Sequence, residues 1–254
     1  MARSQRKTFL QLKTFAAATL LVTAVFTVDF SAPAAAAIAN CGTSANEQVG
    51  WGSQFYNGTQ PELVEGSSSY IITRTAALCT TDKNGGTNFS TAWNMVYAGQ
   101  GYAQAGTMYR YGASCIYAWS EQSLNGTFTD YNSGCTGAGA THAYRNLFVI
   151  TNGVYHIQSS VDGKNIHTTS WDPLSYWTVP YQVAFTGETW YSASDVPGTS
   201  GAKTNFTAMG VQRFSDNSLV TSCGNVALAA YKYAGASRYS TNDTSCSYVS
   251  VWTN

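Results

Sequence analysis

Beyond about residue 90 the chain alternates apolar and polar positions with a period of two, in short runs punctuated by glycine. A period of two sends successive side chains to opposite faces of an extended strand. The pattern predicts strands over residues 91–97, 102–111, 115–121, 146–151, 154–159, 179–185 and 205–214. Turn signals separate them: Ala98-Gly-Gln-Gly101, Gly112-Ala-Ser114, Asn125-Gly126, Asn152-Gly153 and Gly187-Glu188. The Asn-Gly pair at 152–153 is the strongest hairpin signal, because a type I′ turn needs two residues that tolerate positive φ. The alanine-rich stretch from Cys223 to Tyr233 fits a short helix or a strand equally well. Many short strands at close spacing predict an all-β fold: a two-sheet antiparallel β-sandwich of the jelly-roll, concanavalin-like type. No repeat or low-complexity linker divides residues 40–254, which read as a single β-sandwich domain.

The first 39 residues follow a different logic. Arg3, Arg6, Lys7 and Lys13 precede an apolar run over 15–28, and small residues at Ala35, Ala37 and Ala39 follow. That order predicts a signal peptide over residues 1–39, and hence a secreted, extracellular protein with no membrane attachment after cleavage. Removing this segment takes away four basic residues and one acid, leaving a net charge near −3. A mildly acidic chain without basic runs argues against nucleic acid as partner. All six cysteines lie beyond residue 39: Cys41, Cys79, Cys115, Cys135, Cys223 and Cys246. In an exported chain an even count reads as disulfides, and local pairing suggests 41 with 79, 115 with 135 and 223 with 246. No metal site is expected, since no C-x-x-C occurs and His142, His156 and His167 lack ligand spacing. No cofactor is called for, and a monomer is expected.

Sorting side chains by alternation gathers candidate chemistry on one face. Tyr102, Gln104, Gly106, Met108 and Arg110 share a face of one strand; Tyr117, Trp119 and Glu121 share a face of the next. Aromatic rings beside carboxamide and carboxylate groups suit a groove for an extended polymer, a peptide or less readily a glycan. The same alternation also builds ordinary cross-strand ladders. No Gly-x-Ser-x-Gly elbow and no phosphate loop is present.

Trp93, Ala103-Gln-Ala-Gly106 and Ala118-Trp-Ser-Glu121 follow one another in the order found in the eqolisin family of glutamic peptidases, and Gly187-Glu-Thr-Trp190 resembles the later segment that carries the catalytic glutamate of that family. Gly187-Glu188 followed by Thr204-Asn-Phe-Thr-Ala-Met-Gly210 is also similar to neprosins, although Gln104 stands where neprosins carry a glutamate. The resemblance runs from about residue 91 to 214. It implies a jelly-roll endopeptidase acting in the acidic range, with Glu188 as general base, Gln104 as oxyanion partner, and Trp93, Trp119 and Glu121 along the substrate groove. Two other readings stand beside it. Glu121 and Glu188 could be the carboxylate pair of a glycosidase, or the groove could bind a glycan or a protein without cleaving it.

Overall fold

The computed structural model describes residues 41–42, 44–53, 64–80, 88–98, 101–124, 127–176, 182–191, 193–226, 228–233, 238–245 and 247–254. The expected signal segment therefore lies outside the described residues. In chain order the strands are β1 (Ser44–Ser53), β2 (Val64–Ile72), β3 (Phe89–Ala98), β4 (Gly101–Arg110), β5 (Ile116–Leu124), β6 (Thr127–Thr136), β7 (Thr141–Thr151) and β8 (Val154–Val161). They continue as β9 (Lys164–Thr168), β10 (Gln182–Tyr191), β11 (Gly198–Thr199), β12 (Ala202–Arg213), β13 (Leu219–Thr221), β14 (Leu228–Tyr233), β15 (Tyr239–Ser245) and β16 (Tyr248–Thr253). Among the described residues the one helical element is a 3-10 turn over Pro173–Ser175, started by an Asp172 side chain that accepts from the Leu174 N–H.

The strands form two sheets. One runs β14-β1-β10-β3-β4-β5-β6; the other runs β15-β16-β11-β12-β2-β7-β8-β9, with β13 beside β12. Pairing is antiparallel except where β11 meets β16. This is the expected all-β two-sheet sandwich, and the period-two alternation is its cause: one face of each sheet is apolar and must be covered. Val49, Ala92, Ala105, Val183 and Phe185 from the first sheet meet Ile71, Tyr144, Phe206, Val211, Val249 and Val251 from the second. Phe185 and Phe206 meet edge to face, with centroids 6.3 Å apart. Each such side chain removed from water contributes about 1.5–3 kcal/mol.

A polar cluster sits inside the same interlayer. Asn94 on β3 accepts from Ser67 Oγ at 2.9 Å and donates to Ser69 Oγ and the Tyr144 carbonyl. Asn146 on β7 donates to the Asn94 side chain and carbonyl, both at 2.9 Å, and accepts from Ser159 Oγ at 2.8 Å. Buried amides tolerate this position only because every member finds partners.

Several boundaries differ from the sequence reading. The strand expected over 179–185 is observed from Gln182 and runs on through Gly187 and Glu188 to Tyr191, where a turn was expected; residues 177–181 lie outside the described part. The ambiguous alanine-rich stretch ends as β14, at the edge of the first sheet. Strands β1 and β2 had no sequence signal. The Asn152-Gly153 turn joins β7 to β8 with φ of 53° and 78°, as type I′ requires.

The cysteine pairing is met in part. Cys115 and Cys135 form a disulfide across the β5–β6 hairpin, with Cα atoms 5.6 Å apart. Closing a loop of that length stabilises by about 3 kcal/mol in the chain-entropy picture. Cys223 is disulfide-bonded; Cys246 lies outside the described residues. Cys41 and Cys79 depart from expectation: they are neighbours in one buried cluster, but present as apposed thiols rather than a closed bridge. Burial and the adjacent Cys41 push the Cys79 thiol up to about 11.

Candidate active site

The outward face of the first sheet carries a groove of about 410 Å³, lined by residues from β1, β10, β3, β4 and β5. It is the face opposite the core, so its side chains come from the alternate positions: Asn46 and Gln48 on β1, Glu188 and Trp190 on β10, Phe89, Trp93 and Met95 on β3, Tyr102 and Gln104 on β4, Trp119 and Glu121 on β5. All five residues singled out from the sequence as catalytic or substrate-binding are among them.

Register places them in a row. Glu188 stands opposite Gln48 on one side and Thr91 on the other. Trp93, two positions along β3, faces Gly106, which in turn faces Trp119. Gln104 faces Met95 and Glu121. Gly106 makes this centre compact: a Cβ there would lie 1.9 Å from the Ala92 carbonyl oxygen and 2.6 Å from Trp93 Cα. With no side chain between them, Trp93 and Trp119 pack with Met108 and Ala184 and are almost wholly buried.

The two carboxylates have different surroundings. Glu188 is 6% exposed and accepts from Trp93 Nε1 at 2.5 Å and from the side chains of Asn46 and Gln48. Burial disfavours its charge and the three donors favour it; burial wins, raising its pKa from 4.5 to about 7. Glu121 is more open. Its Oε1 accepts from the Tyr102 hydroxyl and, at 3.0 Å, from Gln104 Nε2. That bond fixes the Gln104 amide, which keeps a second N–H and its carbonyl oxygen for the groove. In the register Glu188 faces Thr91 and Gln104 faces Met95, so the two stand two strands and four positions apart, roughly 16 Å between backbones, with Trp93 between them.

The tryptophans prove to be floor more than wall. Phe89 and Trp190 form the rim near Glu188, with centroids 6.3 Å apart, and Trp190 is 42% exposed. Sequence reasoning missed Asn46, Gln48 and Trp190 as contributors. Trp190 follows Gly187-Glu188, which reads as a turn, and Asn46 and Gln48 lie on β1, for which the sequence gives no strand pattern.

Among the described residues no three of His, Cys, Asp and Glu come together at metal-ligand distance. The histidines stand apart from the groove. His142 pairs with Asp162 at 2.6 Å on the second sheet, and its Nε2 has no hydrogen-bond partner among the described residues. Comparison with known protein families and with curated proteins finds no match.

Proposed function

We propose that this chain is an exported, monomeric endopeptidase of the glutamic type, which holds an extended peptide across the first sheet and cleaves it with Glu188 and Gln104. The observation that carries the reading is that Glu188, Gln104, Trp93, Trp119 and Glu121 all line one groove. The resemblance of their motifs to eqolisins adds to it. In the proposed step the Glu188 carboxylate takes a proton from water as the oxygen adds to the peptide carbonyl carbon. The second N–H of Gln104 donates to the oxyanion that forms. Glu188 then returns the proton to the amide nitrogen, and the C–N bond breaks. A carboxyl raised to about 7 is a better base than an ordinary glutamate, so the ascending limb of activity is placed near neutrality. The ordinary value, about 4.3, would have put it well into the acidic range.

A two-carboxylate glycosidase fits less well. Glu121 and Glu188 stand three strands apart and four register positions along them, roughly 19 Å between backbones at ~4.8 Å per strand and ~3.3 Å per residue. Retaining pairs need roughly 5–5.5 Å between carboxyls, and Glu121 is tethered by Tyr102 and Gln104.

The test is digestion of a denatured protein by the chain from residue 40 on, with fragments read by mass spectrometry. Glu188→Gln keeps the shape without the base and is expected to abolish cleavage; Gln104→Ala is expected to lower turnover about 10²–10³-fold. Full activity in Glu188→Gln overturns the assignment, and no cleavage by the native sequence between pH 3 and 8 leaves the groove as a binding surface.

A further inference from the structure

A second cavity lies where the two sheets part at one side of the sandwich. There β6 is the edge of the first sheet and β9 the edge of the second. The space between them is about 380 Å³, within the roughly 300–1,000 Å³ typical of small-molecule sites. Among the described residues its lining shares none with the groove on the first sheet. Gln122, Thr129 and Tyr131 reach it from the inward positions of β5 and β6, His167 from β9, and Ser170 and Trp171 from the segment that follows.

Three properties narrow what it can hold. Among the described residues the lining contains no Asp, Glu, Lys or Arg, and burial lowers the His167 pKa, which disfavours a charge on that ring. A charged ligand would find no counter-charge. The aromatic rings are braced: Tyr131 and His167 stack at 3.6 Å with an 11° interplanar angle, and Trp171 meets Tyr176 edge to face at 6.3 Å. Finally, Gln122 is 4% exposed, yet its Nε2 has no hydrogen-bond partner among the described residues. A buried amide donor left unpaired is costly, and a purely apolar ligand would leave it so.

A sugar ring matches all three. One face of a pyranose is C–H and lies on an aromatic plane; its rim is hydroxyl and exchanges hydrogen bonds with amides and hydroxyls, without charge on either side. We propose that this inter-sheet cleft binds a neutral saccharide unit, with Trp171 as stacking platform and Gln122 Nε2 as donor to a ring hydroxyl. Thr129 and Ser170 supply further hydroxyls, and the Tyr131–His167 stack closes the opposite wall. The site is independent of the peptidase reading.

The experiment titrates the chain from residue 40 on with maltotriose, cellotriose and N,N′,N″-triacetylchitotriose, and with trigalacturonate as the charged comparison. The Gln122 side-chain amide and the Trp171 indole N–H are followed by NMR, and affinities by calorimetry. At least one neutral trimer is expected to bind with a millimolar or tighter Kd and to shift those two signals. Gln122→Leu and Trp171→Ala should each weaken that binding about ten-fold or more, the size of one lost hydrogen bond or stacking contact. Glu188→Gln should leave it unchanged. The proposal fails if no neutral trimer binds, if trigalacturonate binds more tightly, or if the shifts fall on Trp93 and Trp119 instead. It fails equally if both cleft variants bind like the native sequence; should they not fold, the shift mapping on the native sequence decides alone.

Discussion

At the scale of single residues the opposed forces on Glu188 can be taken apart. The Trp93 N–H stabilises its anion, so removing that donor favours the proton. Trp93→Phe is expected to raise the Glu188 pKa further, by about one unit, as seen in the carboxylate band of a pH-resolved infrared titration against Glu188→Gln. An unchanged titration would mean that the bond in the groove contributes nothing to the charge state. On the proposed peptidase reading, a base that ionises near 7 gives kcat/KM rising with pH up to about that value. A limb that instead falls through 7 would make the protonated carboxyl the active form, and the first step acid-assisted. Trp93 and Glu188 entered through the resemblance to eqolisins, whereas Gln104, Trp119 and Glu121 could be found in the sequence because alternation puts each on a marked strand face. The two donors from β1 could not, because their relation to Glu188 exists only once β1 pairs with β10, some 140 residues away in the chain.

Among the elements, β10 shows where local pattern misleads. Gly-Glu reads as a turn, yet Gly187 is glycine for packing: a Cβ there would sit 3.0 Å from Val251 and 3.3 Å from Val196 in the core. The strand continues because both neighbours, β1 and β3, pair with it from Ala184 to Thr189, across Gly187 and Glu188. Asn152-Gly153 was legible because its turn chemistry is self-contained; Asp162-Gly163, with φ of 48° and 77°, makes the next such turn and passed unnoticed. Gly106 belongs to the same class of packing glycine. Gly106→Ala forces a methyl into the Ala92 carbonyl and should cost about 2–3 kcal/mol in urea unfolding, with a red-shifted tryptophan emission as the floor opens. Native stability in that variant would show that β3 and β4 can separate freely. The Cys41–Cys79 pair yields an element-scale expectation as well. The two sulfurs already face each other, so if the chain is exported, as proposed, it should carry this third bridge, and thiol titration of the denatured, unreduced chain should find none. Two thiols per chain would show that the pair stays reduced.

For the whole molecule, buried carboxyls set the pH response. Glu65, 1% exposed with Oε1 lacking a partner among the described residues, is raised by burial to about 7, as Glu188 is. A carboxyl whose pKa is raised on folding stabilises fully below its unfolded value of about 4.5, and that stability is lost as pH climbs through 7. A shift of this size is worth up to about 3 kcal/mol per group. The surface carboxylates Asp162 and Asp216 are held low by His142 and Arg213 and act the other way, but only as pH falls below their ordinary range. Between pH 4.5 and 7.5 the buried pair therefore governs, and Tm is expected to drop across that interval by calorimetry. Glu65→Gln should flatten the slope; a Tm that rises over the same interval would contradict the argument. The fold class was legible because alternation over many short runs admits few architectures. The pairing of distant strands was not, because it is decided by contacts far apart in sequence.

The neighbours Trp93 and Asn94 answer to opposite sides of one sheet. One indole is groove floor, and the next carboxamide is tied to Ser67, Ser69 and Asn146 in the other layer. Slide β3 by a single residue and both are wrong at once: a bare amide faces the tryptophan pocket and an indole is driven against serines. Two neighbouring side chains thus act as a proofreading device for assembly. A mispaired arrangement of β3 therefore gains no near-degenerate resting place.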